Sequence, residues 1–269
     1  MEPKEVRTIK RLLIKELPFY PNDKATLELL QEMSINDVIF HYLHWQSRHI
    51  PSRSRKVILA PELTSDRRWK AHKQQIEDLL GLVRSGASVT PFLSERAHNN
   101  GYTPFKDTNS KDKDLILNSK GFHHLHLSMD DADSGLAKRT DVVLFAFVTR
   151  SEFYAIALFD HGIFDNLNHK TSEHNRLEQL AGKYYCAPKT FRTVSGHGVY
   201  LRHLSDIYAQ CILEYTPKIN ERVYVNRLYS DGSLALPNKF KLEWRIVGLD
   251  LELLDKKTGK RFLFRQGPM

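Results

Sequence analysis

Three histidines packed into Gly121-Phe122-His123-His124-Leu125-His126-Leu127-Ser128 stand out in this 269-residue chain as residues whose type and spacing could do chemistry. Side chains alternate between the two faces of a β-strand, so Phe122, His124, His126 and Ser128 share one face. Two imidazoles on one face can supply two metal ligands, or a general base and a charged partner for a substrate. Nearby, Lys138 and Arg139 precede an apolar run that opens at Val142, and His161 follows Asp160. Cleaving RNA without a metal needs a base for the 2′-hydroxyl proton, cations for the developing negative charge and an acid for the leaving 5′-oxygen. His126 is the candidate base, with His124 beside it. Lys138 and Arg139 are the candidate clamp and His161 the candidate acid. The bland alternative stays open: His161 as a turn cap, Lys138 and Arg139 as solvated loop residues.

The elements that must position these groups are three strands, expected over residues 122–129, 141–149 and 153–160. The second is apolar on both faces and should be the buried centre of an antiparallel meander. Such a meander gathers Ser128, Lys138, Arg139, Asp141, Asp160 and His161 at one edge. An eight-residue strand is about 26 Å long, so His124 is expected far from His161, which disfavours a three-histidine metal site. A metal site from His124, His126 and an acidic group elsewhere stays open.

Charge supplies the second signal. Lysine and arginine number 40 against 32 acidic residues, for a net charge of +8. Between Arg48 and Lys73 eight basic residues face only Glu62 and Asp66, so this short stretch holds six of the eight net charges. Concentrated positive charge neutralises phosphates and releases counterions, which makes nucleic acid the first partner to consider. Pro51 and the serines around it argue for an extended loop whose arginines can grip phosphate in bidentate fashion. Arg48, Arg53, Arg55, Lys56, Arg67 and Arg68 are the candidate nucleic-acid-binding residues. The competing reading is a solvated face.

Elsewhere the periodicity predicts an α+β protein in three consecutive parts. Residues 1–88 read as a helical, basic region with helices around Val6 to Leu13, after Asn22 or Asp23, after the capping-box-like Ser34-Ile35-Asn36-Asp37, and from Asp66 to Gly86. His41 and His44 read as structural histidines. Residues 89–182 form the core with the central antiparallel sheet of three strands or more, preceded by a polar loop over 103–111 and a short helix ended by Gly121. Residues 183–269 read as β-rich apart from a helix through Leu201 to Ile212, with Asp231-Gly232 and Thr258-Gly259 as hairpin turns.

The three strands, quoted as His123-His124-Leu125-His126-Leu127, Asp141-Val142-Val143-Leu144-Phe145 and Ala157-Leu158-Phe159-Asp160-His161-Gly162-Ile163-Phe164, with two short helical segments before them, resemble the core of RelE/ParE-type bacterial toxins. The resemblance covers residues 111–167. It places Arg139 where that superfamily has a basic residue before the central strand, and His161 where a histidine-containing element follows the last. It implies a messenger-RNA endoribonuclease in the bacterial or phage cytosol, neutralised by an antitoxin or other inhibitor protein. The chain departs from the pattern in three ways. It is longer than such toxins, it has Phe164 where an aromatic hydroxyl is expected, and histidines replace the paired lysines of the first strand.

The competing functions are a non-catalytic nucleic-acid-binding protein and a metal-dependent nuclease. No cofactor is expected, because the chain has no Gly-rich phosphate loop, no His-Glu-x-x-His, no Gly-x-Ser-x-Gly and no Cys-x-x-Cys. The two cysteines, Cys186 and Cys211, read as buried thiols. No apolar run approaches the roughly 18 residues of a membrane span. Met1 is followed by charge rather than an apolar block, so a cytoplasmic location and no membrane partner are expected.

Overall fold

A computed structural model describes residues 2–104, 112–129, 136–164, 171–184 and 196–268. Cys186, residues 105–111 of the expected polar loop, and residues 130–135 and 165–167 of the toxin-like stretch lie outside the described residues. In chain order the N-terminal helices are α1 (Lys4–Glu16), α2 (Lys24–Glu32) and α3 (Ile35–Gln46). Strand β1 (Lys56–Leu59) is followed by α4 (Pro61–Thr64), α5 (Trp69–Ser85), α6 (Glu95–Asn99) and α7 (Leu115–Lys120). Then come β2 (His123–His126), β3 (Val142–Val148), β4 (Glu152–Asp160) and α8 (Ser172–Lys183). The chain closes with α9 (Val199–Tyr215), α10 (Arg222–Asp231), β5 (Leu242–Val247), β6 (Asp250–Asp255) and β7 (Arg261–Arg265).

The architecture is α+β, with a helical N-terminus and a β-rich C-terminus. Its residues form two compact units rather than three consecutive regions. One takes Met1–Ser47, Asn100–Lys111 and Tyr200–Pro268; the other takes Arg48–Asn99 and Asp112–Val199. Composition along a chain cannot reveal such interleaving, because each helix buries its apolar stripe wherever a complementary face exists.

In the first unit, Val6, Ile9, Leu13 and Ile14 form the buried stripe of α1. Asp23 caps α2 by accepting the Thr26 N–H at 2.8 Å, and the Ser34 hydroxyl caps α3 by accepting that of Asp37 at 3.1 Å. The antiparallel sheet β5-β6-β7 buries Leu242, Trp244, Ile246, Leu251 and Leu253 on one face. Buried Asp255 organises its second turn: its carboxylate accepts the Tyr229 hydroxyl at 2.6 Å and the Lys241 and Lys257 N–H groups, and Gly259 follows at φ 73°. The hairpin expected at Asp231-Gly232 is absent, because Asp231 ends α10. The Val-Tyr-Val run there reads locally as strand, but Val225 and Tyr229, four apart, bury one helical face.

The second unit holds the candidate site. Its sheet runs β1-β4-β3-β2, with β2, β3 and β4 antiparallel as expected and β1 added in parallel to the β4 edge. One face packs Leu125, Leu144, Ala146 and Leu158 against Ile76, Leu79, Leu80 and Val83 of α5. The other packs Phe122, Val143, Phe145 and Phe159 against Leu177 and Leu180 of α8. Burial on both faces explains why β3 is apolar throughout. Among the described residues no helix is long and apolar enough to cross a membrane.

Candidate phosphate-binding cavity

Strand register decides which chemical groups meet. His126 lies opposite Val143, His124 opposite Phe145, and Val142 opposite Asp160. The end of β2, the start of β3 and the end of β4 therefore share one edge. His161, the next residue after β4, arrives beside His126 with ring centroids 5.9 Å apart and planes inclined by 21°. The expected distance between His124 and His161 is overturned. β2 is only four residues long, and both rings pack on Phe164, with centroids 4.6 and 5.1 Å from it.

His126 is 4% exposed. Its Nδ1 accepts the Thr140 N–H at 3.4 Å, and the Thr140 hydroxyl accepts the Leu127 N–H and donates to the Val142 carbonyl. Burial first, then the neighbouring His124, His161 and Arg139, push its pKa down to about 4. A neutral imidazole that accepts at Nδ1 carries its proton on Nε2, so the nitrogen left for a ligand is a donor. In that arrangement His126 can hold an anion, and the expected role as general base would need the Thr140 bond to open or the proton to move to Nδ1.

His124, the other histidine of this face, sits in an aromatic setting. It is packed against Phe145 and Phe164, with Nδ1 3.5 Å from the Asp114 carboxylate. Burial lowers its pKa against the pull of Asp114. Asp114 itself is occupied in capping α7 through the Leu117 N–H.

Around His126 opens a cavity of about 830 Å³ that Lys138 and Arg139 also line, together with Glu95, His98, Ser88 and Thr90. The Ala137 N–H donates to the Pro91 carbonyl at 2.9 Å, which fastens the basic loop to the Thr90-Pro91 turn. Arg139 approaches Glu95 at 3.5 Å with both side chains exposed, a weak pair that a ligand can displace. His161 stacks on His126 and does not line this cavity. The contribution of His98, Glu95 and Thr140 is not visible in the sequence, since each becomes relevant only through contacts with segments far away along the chain.

The basic run divides in two. Arg48 is buried, and burial pushes its pKa down to about 10 against the pull of Asp114 and Asp112. Arg55 is buried beneath backbone carbonyls. Arg68 forks onto Asp66 with two bonds of 2.9 Å, reaches Asp160 at 2.8 Å, and also bonds the Leu158 carbonyl. These three are corrected from exposed phosphate contacts to structural cations. Lys56 and Arg67 are exposed and Arg53 is half-buried.

Among the described residues, His124 and His126 belong to no group of three His, Cys, Asp or Glu ligand atoms that all lie within 4.8 Å of one another. Compared with known proteins, the chain matches no protein-family model, no curated protein and no solved structure.

Proposed function

We propose that the chain is an RNA-directed binding protein that holds a phosphate of single-stranded RNA in this cavity. The observation that carries the reading is that Lys138, Arg139 and the donor-configured His126 line one open space. Two cations and an N–H donor suit a phosphodiester, and a volume of about 830 Å³ accommodates a nucleotide. The test is binding of a fluorescent single-stranded RNA across a salt series. Affinity falls steeply with salt, and Lys138→Gln with Arg139→Gln weakens binding at least tenfold and flattens the logarithmic salt slope by about 1.4, roughly 0.7 per lost contact. Unchanged affinity in the double variant overturns the reading.

A second reading, a metal-independent endoribonuclease of RelE/ParE type with an inhibitor protein as partner, draws support from His161. That half-buried imidazole reaches the same edge as His126. Cleavage of RNA in EDTA that His161→Ala abolishes would favour it over simple binding.

A further inference from the structure

Helix α1 belongs to the unit that does not hold the cavity, and its outward face carries charge that the fold does not use. At about 100° per residue, Lys4, Arg7, Arg11 and Lys15 fall within about 80° of one another around the helix axis. They lie opposite Val6, Ile9 and Leu13, which the helix buries, and all four side chains are exposed. Among the described residues none of the four makes an ion pair or a side-chain hydrogen bond. The remaining cation of the helix differs, since Lys10 Nζ donates to the Gln31 carbonyl at 2.7 Å. The two acids of the helix lie off the stripe and are engaged: Glu5 accepts from the Asn220 side chain at 3.1 Å and Glu16 from the Tyr42 hydroxyl at 2.6 Å.

This arrangement works against the helix that bears it. Arg7 with Arg11, and Arg11 with Lys15, are like charges four residues apart, which repel. Lys4 and Arg7 also stand near the positive end of the helix dipole. Neither packing nor pairing within the unit accounts for the stripe, whereas a polyanion outside it would relieve every one of these repulsions.

We propose that the outward face of α1 docks the phosphate backbone of a nucleic-acid duplex. From Lys4 to Lys15 the stripe runs about 16 Å along the helix at about 1.5 Å per residue. One strand of a duplex presents a phosphate every 3.4 Å or so of its axis, so the four cations face a row of about five phosphates. A duplex suits the stripe better than a single strand, because α1 has no aromatic side chain on which unstacked bases could lie. Contacts of this kind fix position without reading sequence. An anionic lipid surface fits less well, since Val6, Ile9, Leu13 and Ile14 are buried inside the unit and cannot enter the acyl boundary. An acidic protein also fits less well, because the stripe offers no apolar anchor for the desolvated centre of an interface.

The test uses the full chain carrying Lys138→Gln and Arg139→Gln, which removes the cations of the cavity, so its outcome does not depend on the cavity reading. A fluorescent DNA duplex of about 20 base pairs, longer than the stripe at about 3.4 Å per pair, is titrated across a salt series. Adding Lys4→Gln, Arg7→Gln, Arg11→Gln and Lys15→Gln is expected to weaken binding at least tenfold and to flatten the logarithmic salt slope by about 3.6, roughly 0.9 per lost contact. The thermal midpoint should stay in place or rise as the repulsion is relieved. Arg7→Gln with Arg11→Gln alone should give about half the change in slope, which keeps the test decisive if the fourfold variant fails to fold. No duplex binding before the stripe is changed, or equal affinity and slope after, overturns the docking face. Binding of a single strand of the same length as tightly as the duplex overturns it too, as does stripe-dependent binding to phosphatidylserine vesicles without binding to the duplex.

Discussion

The two ends of the four-stranded sheet handle arginine in opposite ways. Where β4 ends, Arg68 and Arg176 share the buried Asp66, whose carboxylate stays below its usual range because these hydrogen bonds outweigh its burial, and Glu173 and Asp160 complete the network. Where β4 begins, Arg55 is buried among backbone carbonyls instead, its Nε donating to Thr149 and its Nη1 to Pro51 and Arg53. Both regions draw on the same basic run. Both guanidinium settings hold the fold together, one through carboxylates and the other through backbone carbonyls. Distance along the sequence from the nearest acidic residue does not decide between them, since Asp66 serves Arg176, 110 residues away, as readily as Arg68.

The sharpest way to break the contrast is Asp66→Ala. Two guanidiniums lose their shared buried carboxylate, and unfolding free energy from urea denaturation should fall by about 3 kcal/mol, as expected for one partner removed from a buried pair. Next comes pH. His126 is held neutral with a pKa near 4, against an ordinary value of 6.5. Between these values the unfolded chain binds the proton and the folded chain does not, so the stability from this group is complete above about pH 6.5 and is lost as pH falls towards 4. His126→Gln should flatten that part of a pH series of urea midpoints. A smaller effect is expected at the other end of the sheet: Gly86→Ala, at a left-handed φ and against the Ser54 backbone, should cost about 1–2 kcal/mol. Urea denaturation reads that loss. Least of all, Glu95→Gln removes an exposed partner of Arg139 and should shift stability by less than about 0.5 kcal/mol in the same denaturation assay.

Much of the scaffold was legible in local patterns. Asp23 and Ser34 announced their caps, Gly86 and Gly121 their helix ends, and the three strands around Val142–Val148 their antiparallel order. Those signals depend on neighbours a few residues apart, which is the range over which hydrogen bonding and periodicity act. The α10 segment was misread because its β-formers carry a local preference that burial of Val225 and Tyr229 overrides.

The candidate site was legible only in its ingredients. His126, Lys138 and Arg139 could be named, but the Thr140 N–H that sets the tautomer and the Pro91 carbonyl that anchors the basic loop could not. Likewise, nothing in the run from Arg48 to Lys73 distinguishes the cations that are buried from those that face water. Amino-acid order by itself determined the alternation that puts His124 and His126 on one face, the apolar centre of the sheet and the excess of positive charge. Tertiary structure alone decided which imidazole is buried neutral, which guanidinium is matched by a carboxylate and which is bonded to backbone carbonyls. Proton affinity and ion pairing depend on groups within a few ångströms in space, and folding brings those groups from distant parts of the chain.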